Sequence, residues 1–393
     1  MSVRSARATA VALVTLAVFT DAVAYSIAVP VLPDLSRRFG ASPTAIGLLF
    51  ASFGLTLLVV SIPMGTMSDR IGRKGPMLAG LVALAAATLL FAFADSLRWL
   101  FAARLVQGGA DAVTWVVGFA LLADLYGRDE RGAVMGMVMS GATFAFMAGP
   151  TLGGWLYERG GVELPFLAVA ALAGFCLAAF AWVRLPGQRA ERERIPAAAI
   201  LRVPAVAACT TAVVVAAATL SMFEPVLPLF LSTELGVGPA RIGVVFGAGA
   251  VASMLLHPIY GRLADRWGGR RLTLIGLAIT ACTIPAIGRA WSFQSAVALY
   301  VLFAATVAIV ITPSLTYMAE ATSSAGIESF GVGYGLYNMG WGIGLLIGPA
   351  LGGFLFERLG FPTLALIWAP CVVAIAIVLS RVESRVIAPG GQS

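Results

Sequence analysis

The sequence predicts an all-α membrane protein with twelve transmembrane helices, arranged as two pseudo-symmetric six-helix bundles. Three observations predict this class. First, the 393 residues are 60% hydrophobic and only 11% charged, whereas soluble globular proteins carry about 25% charged residues. Second, the apolar runs reach the ~20 residues that a helix needs to cross the hydrocarbon core of a bilayer. Third, the two halves of the chain repeat one another in order.

The apolar runs are separated by short loops that hold most of the charged residues. Arg4 and Arg7 before the first run resemble a signal peptide, but no small-residue cleavage site follows, so we interpret this run as a retained span. The longest polar connection, 186–202, links a bundle at 1–185 to a second at 203–393. The predicted spans are 9–33, 44–66, 75–95, 98–124, 131–157, 163–185, 203–232, 240–260, 271–290, 294–319, 329–356 and 361–380.

The arginines concentrate in the loops on one side of these spans, together with the chain ends and the 186–202 connection. The positive-inside rule therefore predicts that both termini are cytoplasmic and that the protein is multi-pass in the plasma (inner) membrane. The net charge of +7 is spread over these short loops. This distribution argues against a nucleic-acid partner.

An internal repeat includes polar residues as well as apolar ones. Similar stretches recur at nearly constant spacing, with an offset of 196 from Gly65 to Gly261 and of 199 from Gly149 to Gly348. Chance similarity between apolar segments explains such ordered matches poorly. Two similar halves predict a substrate site between them near the middle of the membrane, and transport by rocking.

Two acids in the predicted spans are the leading site candidates, because a charge at that depth is costly and needs a function or a partner. Asp21 lies in the middle of span one, where a carboxylate can hold a proton and a substrate cation in turn. A structural pair with Arg104 is the alternative. Glu224 precedes Pro225, and an acid beside a helix break is typical of transport sites. A solvated acid near a loop is the other interpretation.

Arg104 and Asp111 lie seven residues apart on one face of span four. They are too far apart for direct contact within the helix, although both can line one cavity. From the residues alone, Arg104 is expected to bind backbone carbonyls of span one. Asp111 is either an extra substrate or proton carboxylate or a partner of Arg104. His257 lies near a loop and is expected to be structural.

Aromatic side chains can wall a site for an organic cation, because ammonium groups favour aromatic faces. The stronger candidates are on span eleven, where Asn338 and Trp341 share a face at i, i+3. Most aromatic residues in membranes simply pack, and this alternative remains open for each of them. The further candidates are Tyr25, Phe53, Trp115, Phe146, Tyr317 and Tyr337.

The segment GTMSDRIGRK, 65–74, fits the pattern G-x-x-x-D-R-x-G-R-K in full. It resembles the signature loop between helices two and three of the major facilitator superfamily. The resemblance implies a conformational latch in which Asp69 caps a helix end in the other half, near span eleven, and Arg73 pairs with Asp124 in the outward-facing state. The glycines are expected in a tight turn, and a topology anchor is the alternative role. The latch residues are Gly65, Asp69, Arg70, Gly72, Arg73 and Asp124.

Two further stretches resemble motifs of the same superfamily. RLVQGG from Arg104 is similar to its second motif, and this resemblance implies a role of Arg104 near proton transfer as the alternative to a structural one. GPTLGG from Gly149 is similar to the motif of proton-coupled antiporters. Small residues let membrane helices approach closely, and a proline bends a helix. Gly149, Pro150, Gly153 and Gly154 are therefore expected to act on conformation without touching substrate.

Stretches such as TDAVAYSIAVPVLP, MFEPVLP and GYGLYNMGWGIGLLIGP are similar to those of vesicular amine transporters and their bacterial drug/proton antiporter relatives. In that family, the acids that match Asp21 and Glu224 help to bind the cationic amine. The sequence departs from the vesicular pattern at three places, where a lysine is Phe53 and two acids are Ala308 and Asn338. The proton-coupling scheme of the vesicular transporters therefore cannot be transferred to this chain in full.

The sequence thus predicts a proton-coupled antiporter that exports cationic amphipathic drugs or amines. Alternatives are a transporter of neutral or anionic metabolites such as sugars, and a membrane receptor or scaffold. The expected partners are a small cationic substrate, protons and the lipid bilayer, and the protein is expected to be a monomer. No nucleotide-binding loop, zinc spacing or nucleophile triad occurs in the sequence, so no enzyme activity, cofactor or metal is predicted.

Overall fold

The computed structural model describes residues 3–183, 202–324 and 330–384. The predicted linker 186–202 lies outside the described residues except at its last position. The described chain is helical, because its long apolar runs must satisfy every backbone hydrogen bond internally within a membrane. Its elements are α1 (Val3–Ser26), a 3₁₀ turn (Val29–Val31), α2 (Leu32–Phe39), α3 (Pro43–Ile71), α4 (Lys74–Ala92), α5 (Leu97–Leu125), α6 (Arg128–Gly160), α7 (Glu163–Trp182), α8 (Pro204–Leu235), α9 (Pro239–Trp267), α10 (Gly269–Ile287), α11 (Phe293–Ser324) and α12 (Phe330–Ser384).

Eleven helical segments of the described chain are long and apolar enough to cross a membrane. The last of them, in α12, contains a break at Gly360, whose φ of 74° lies outside the helical region. Glycine adopts positive φ without steric cost, and the break divides α12 into two spans. The count is then the predicted twelve.

The first and seventh spans both differ from expectation at their prolines. The sequence predicted one unbroken span at 9–33, but α1 ends at Ser26 and a 3₁₀ turn precedes α2. Pro30 and Pro33, three residues apart, remove two backbone donors there. By contrast, α8 stays helical through Pro225 and Pro228, which have the same spacing. The predicted helix break beside Glu224 is therefore wrong, and since both spans contain Pro-Val-Leu-Pro, the packing around the prolines decides whether the helix breaks.

The two halves meet through a pseudo-symmetric pair of close glycine contacts. A Cβ added to Gly154 of α6 would lie 2.4 Å from the carbonyl oxygen of Pro239 in α9. A Cβ added to Gly353 of α12 would lie 2.4 Å from the carbonyl oxygen of Pro43 in α3. Both prolines begin their helices. The halves therefore touch at the end of the molecule that is opposite to its two termini.

Polar contacts cross between the halves at this same end. The Thr44 amide donates to Glu357 Oε2 (2.9 Å), and Arg37 donates to Ser232 Oγ (3.1 Å). Hydrogen bonds from Thr44 and Ser42 hold the pKa of Glu357 below its usual range. The carboxylate form of Glu357 therefore caps the start of α3, where negative charge is favourable.

At the opposite end, Arg73 joins two acids of its own half. Its Nε bonds to Asp124 Oδ2 (2.8 Å) and its guanidinium contacts Asp69 Oδ1 (2.7 Å). The resemblance assigned the Arg73–Asp124 pair to the outward-facing state. The pair is nevertheless present here, where the halves touch at the far end. The contact of Asp69 with the other half remains a prediction, since 325–329, just before α12, lie outside the described residues.

The latch segment is more helical than expected. Gly65 lies inside α3 rather than in a turn, and its predicted turn role is wrong. One glycine costs a helix interior only about 1 kcal/mol, so the surrounding apolar packing carries the helix past it. The turn is made by Gly72, with φ at 92°, while Arg70 is exposed on the last turn of α3.

The repeat extends from sequence to contacts. Glu320 lies 196 residues after Asp124, but Gly269 stands at the position that matches Arg73, and its backbone N–H donates to Glu320 Oε1 (3.2 Å). A Cβ there would meet the Tyr317 amide at 2.4 Å. The second half therefore keeps the acid and replaces the arginine by a backbone donor.

Gly154→Ala should loosen the contact between the halves, because the new methyl group would overlap a backbone carbonyl that cannot rotate away. The cost of such overpacking is about 1–3 kcal/mol. We expect a lower thermal midpoint in detergent, and faster maleimide labelling of Ser232→Cys in a background whose exposed Cys282 and Cys371 are serine. Gly136→Ala on the same helix is the control, since no atom lies within 4 Å of its added Cβ. Equal behaviour of the two variants would contradict the prediction.

Candidate functional site

The ionisable side chains in the middle of the molecule lie on three helices. Asp21 on α1 and Arg104 on α5 are buried, with 1% and 0% of their surfaces exposed. Asp111, two turns after Arg104, is also buried, and Glu224 on α8 is partly buried. These are the four residues that the sequence singled out, and the fold brings them into two neighbouring groups.

The first group is a pair of carboxyls from α1 and α5. Trp115 Nε1 donates to Asp21 Oδ2 at 3.1 Å, while the buried Asp21 Oδ1 finds no N–H or hydroxyl donor. The Asp111 carboxyl lies within hydrogen-bonding reach of Asp21. The two carboxyls can therefore form a hydrogen bond with each other when one of them is protonated. Neither acid pairs with Arg104, the alternative that the sequence left open for both.

Arg104 is held by the backbone of α1 and by its own helix. Its terminal nitrogens donate to the Tyr25 carbonyl oxygen at 3.4 and 3.5 Å and to Gln107 Oε1 at 2.9 Å. Its guanidinium also lies over the Phe50 ring, 4.2 Å from the centroid. The contact with a backbone carbonyl of the first span is the one predicted from the sequence. The buried Nε has no hydrogen-bond partner in the structure.

The second group crosses between the two halves. The Tyr25 hydroxyl donates to Glu224 Oε2 at 2.5 Å, and Arg104 lies close enough to both to interact electrostatically. The Tyr25 ring packs on Phe53 with centroids 4.8 Å apart. Because Asp21 and Tyr25 are four residues apart, one face of α1 presents both groups.

Sequence reasoning missed Tyr300 of α11. This tyrosine is buried, lies within electrostatic reach of Glu224 and packs on Phe246 with ring centroids 4.8 Å apart. The repeat contained a signal for it, because Tyr300 lies at the offset of 196 from Arg104. An aromatic residue at that counterpart position does not stand out by composition alone.

The site candidates on α12 make other contacts. The buried Tyr337 hydroxyl donates to the Ile311 carbonyl oxygen at 3.3 Å and so packs against α11. Asn338 and Trp341 are partly exposed. Within the described residues, no hydrogen bond or ring contact joins these three side chains to the acids. Their substrate role remains a prediction.

The Gly149–Gly154 stretch packs α6 against the end of α1. A Cβ added to Gly149 would collide with Ser26 Oγ, and one added to Gly153 would lie 2.3 Å from the Ile27 carbonyl oxygen. Pro150 lies inside α6, which remains helical. This stretch therefore sets the distance between α6 and the point where α1 ends, just beyond Tyr25.

An apolar groove of about 420 Å³ runs along the more exposed face of α1, away from the face that carries the buried Asp21. Thr15 is the polar residue of its lining. Phe19, the last lining residue on α1, stacks on Phe144 with ring centroids 6.2 Å apart. This volume is in the range of small-molecule sites. The lining residues are Ala8, Val11, Ala12, Thr15, Leu16, Phe19 and Met137.

Known proteins resemble the chain in sequence over most of its length. The human synaptic vesicular amine transporter is 29% identical over 337 residues, which are 85% of this chain and 65% of that protein. The zebrafish probable vesicular acetylcholine transporter-B is 28% identical over 374 residues, 90% of this chain and 75% of that protein. The chain thus spans somewhat less than two thirds of the human protein.

Solved structures share the fold of the chain, and a family model assigns its family. A nucleoside transporter, NupG, superposes with a TM-score of 0.78 at 14% identity, covering 95% of this chain and 99% of that one. A bacterial homologue of the human lysosomal transporter Spinster, in an inward-facing and occupied conformation, superposes with a TM-score of 0.77 at 16% identity, covering 96% of this chain and 95% of that one. The model of the Major Facilitator Superfamily matches residues 14–214 and 209–390. This multi-pass membrane protein therefore belongs to the Major Facilitator Superfamily.

Proposed function

We propose that the chain is a proton-coupled antiporter that exports cationic amphipathic drugs or amines by alternating access. The observation that carries the proposal is the imbalance of buried charge. Three acids, Asp21, Asp111 and Glu224, lie in the middle of the molecule with one cation, Arg104. Buried charges must be compensated, so this centre takes up either protons or an organic cation.

The aromatic surroundings of the Asp21 carboxylate support an organic cation as substrate. The indole of Trp115 stacks on Phe119, with ring centroids 5.7 Å apart. The indole of Trp115 lies beside the same carboxylate, and aromatic faces stabilise organic cations.

The arrangement of the halves supports alternating access. They touch at the end opposite to the termini, and the Tyr25–Glu224 bond joins them at the charged centre. We propose that 1–185 and 203–393 move as two units connected by 186–202. We further propose that the protein works as a monomer in the plasma (inner) membrane with both termini cytoplasmic, as the distribution of arginines favours.

The relatives support a cationic substrate class, since their names are those of amine and acetylcholine transporters. Neutral or anionic metabolites such as sugars are the competing substrates. An anion would need a free buried cation, and the terminal nitrogens of Arg104 already bond to Tyr25 and Gln107.

Transport into proteoliposomes tests the proposal directly. The purified chain is reconstituted, an acidic interior is imposed, the membrane potential is clamped, and uptake of radiolabelled ethidium, lactose and benzoate is followed. Ethidium carries a permanent charge, so it cannot accumulate merely as a trapped weak base. We expect gradient-dependent accumulation of ethidium and none of the other two.

Protein-free liposomes and liposomes without a pH gradient are the controls. Uptake of lactose or benzoate in place of ethidium would favour the competing substrate class. Ethidium uptake that ignores the pH gradient would contradict proton coupling while leaving the cationic substrate intact.

A further inference from the structure

We propose that Asp21 and Asp111 form one proton-exchange unit, in which a single proton shared by the two carboxyls leaves when the substrate cation binds between them. This inference rests on the proposed function and deepens it. It assigns the coupling proton to a pair, and it makes Asp111 a substrate-binding residue of equal standing with Asp21.

The geometry of the pair is the first argument. Asp21 Oδ1 is buried without an N–H or hydroxyl donor, and the carboxyl within its reach is that of Asp111. Two adjacent carboxylates in an apolar interior cannot both be ionised without a cation, so the empty pair keeps one proton. The pair then carries a charge of −1.

The surroundings of the pair are the second argument. Trp115 contacts both carboxyls through one indole N–H, which can stabilise one negative charge but not two. Across the described residues of α4, α6 and α7, which pack around α1, no charged side chain faces the pair. Arg104, two turns before Asp111 on α5, bonds to the Tyr25 carbonyl oxygen, and the Tyr25 hydroxyl bonds to Glu224. Tyr25 also lies within electrostatic reach of Asp111.

The exchange balances without any other reactant. A monovalent organic cation enters, the hydrogen bond between the two carboxyls breaks, and the proton leaves to water. Two carboxylates and one cation remain, so the net charge of the site is −1 with the proton and −1 with the cation. One proton is therefore released for each cation bound, and the reverse occurs when the next proton returns.

Proton release on binding of ethidium tests the pair. The detergent-purified protein in weak buffer is titrated with ethidium while a pH electrode follows release between pH 5 and 9. Wild-type protein should release about one proton per ethidium near neutral pH. In Asp111→Asn, the Asp21 carboxylate accepts hydrogen bonds from both Trp115 and the new amide, so near neutral pH it holds no proton to release. Release should then move by about one pH unit or more to lower pH.

Asp111→Glu restores a carboxyl and should restore the wild-type profile, which a merely structural role of Asp111 does not require. An unchanged profile in Asp111→Asn would overturn the proposal. If that variant does not fold, infrared difference spectra of the wild-type protein decide, because a protonated carboxyl band must disappear when ethidium binds. A band that persists overturns the pair. Absence of any ethidium binding to the wild-type protein instead refutes the proposed substrate class.

Discussion

Asp21→Asn is expected to reduce pH-gradient-driven ethidium uptake by about 30-fold or more. The substitution keeps the size of the side chain and its contact with Trp115, but it removes the charge that the cation must meet. Loss of one partner of a buried charge pair costs about 2–5 kcal/mol, and 2 kcal/mol corresponds to roughly 30-fold in affinity. The measurement is the initial rate of uptake into proteoliposomes with an acidic interior, over a series of ethidium concentrations.

Asp95→Asn is the matched control, because this acid of the same half is exposed in the connection between α4 and α5. It should transport at the wild-type rate. Thermal midpoints of both variants should stay close to that of the wild-type protein, which separates loss of binding from loss of folding. Uptake by Asp21→Asn within threefold of wild type would contradict a central role for this carboxyl.

Arg104→Leu should produce the largest loss of stability. This guanidinium is fully buried and joins α1 to α5 through the Tyr25 carbonyl, Gln107 and the Phe50 ring. Its removal leaves Glu224 without the nearby positive charge. Breaking a buried charge interaction costs about 3–5 kcal/mol, and we expect the thermal midpoint in detergent to fall by on the order of 5 °C or more.

Arg98→Leu provides the comparison on the same helix, since Arg98 is exposed and the change of residue is identical. It should shift the midpoint by less than about 1 °C, as surface substitutions usually do. Arg104→Lys should fall between the two, because lysine keeps the charge but cannot span the Tyr25 carbonyl and Gln107 as a planar fork does. A midpoint for Arg104→Leu equal to that of Arg98→Leu would show that the buried cation is not structural.

Most of the fold could be predicted because the length of the apolar runs and the internal repeat are visible in the linear sequence. The spans follow from apolar runs, and the family assignment followed from GTMSDRIGRK and its neighbours. The local errors occurred at prolines and glycines, whose effect depends on packing. Pro30 and Pro33 end α1, Pro225 and Pro228 do not end α8, and Gly65 remains helical.

The site was harder to predict, because its contacts depend on how the spans rotate against one another. The i, i+4 spacing of Asp111 and Trp115 was visible in the sequence, and so was that of Asp21 and Tyr25. Which acid faces which partner was not visible. Asp111 meets Asp21 rather than Arg104, and Tyr25 meets Glu224 across 199 residues of chain.

The hydrogen bonds at the two ends of the molecule differ in which parts they join. Near the termini, Lys74 donates to the Val183 carbonyl oxygen and its counterpart Arg270 donates to that of Ser380, each within its own half. At the opposite end, Thr44 and Arg37 reach across to Glu357 and Ser232. These bonds stiffen each half, and the Tyr25–Glu224 contact lies between the two ends, where one half can pivot on the other. Tilting one half against the other requires these crossing bonds to break, at about 1 kcal/mol each, and the close helix contacts at Gly154 and Gly353 to separate.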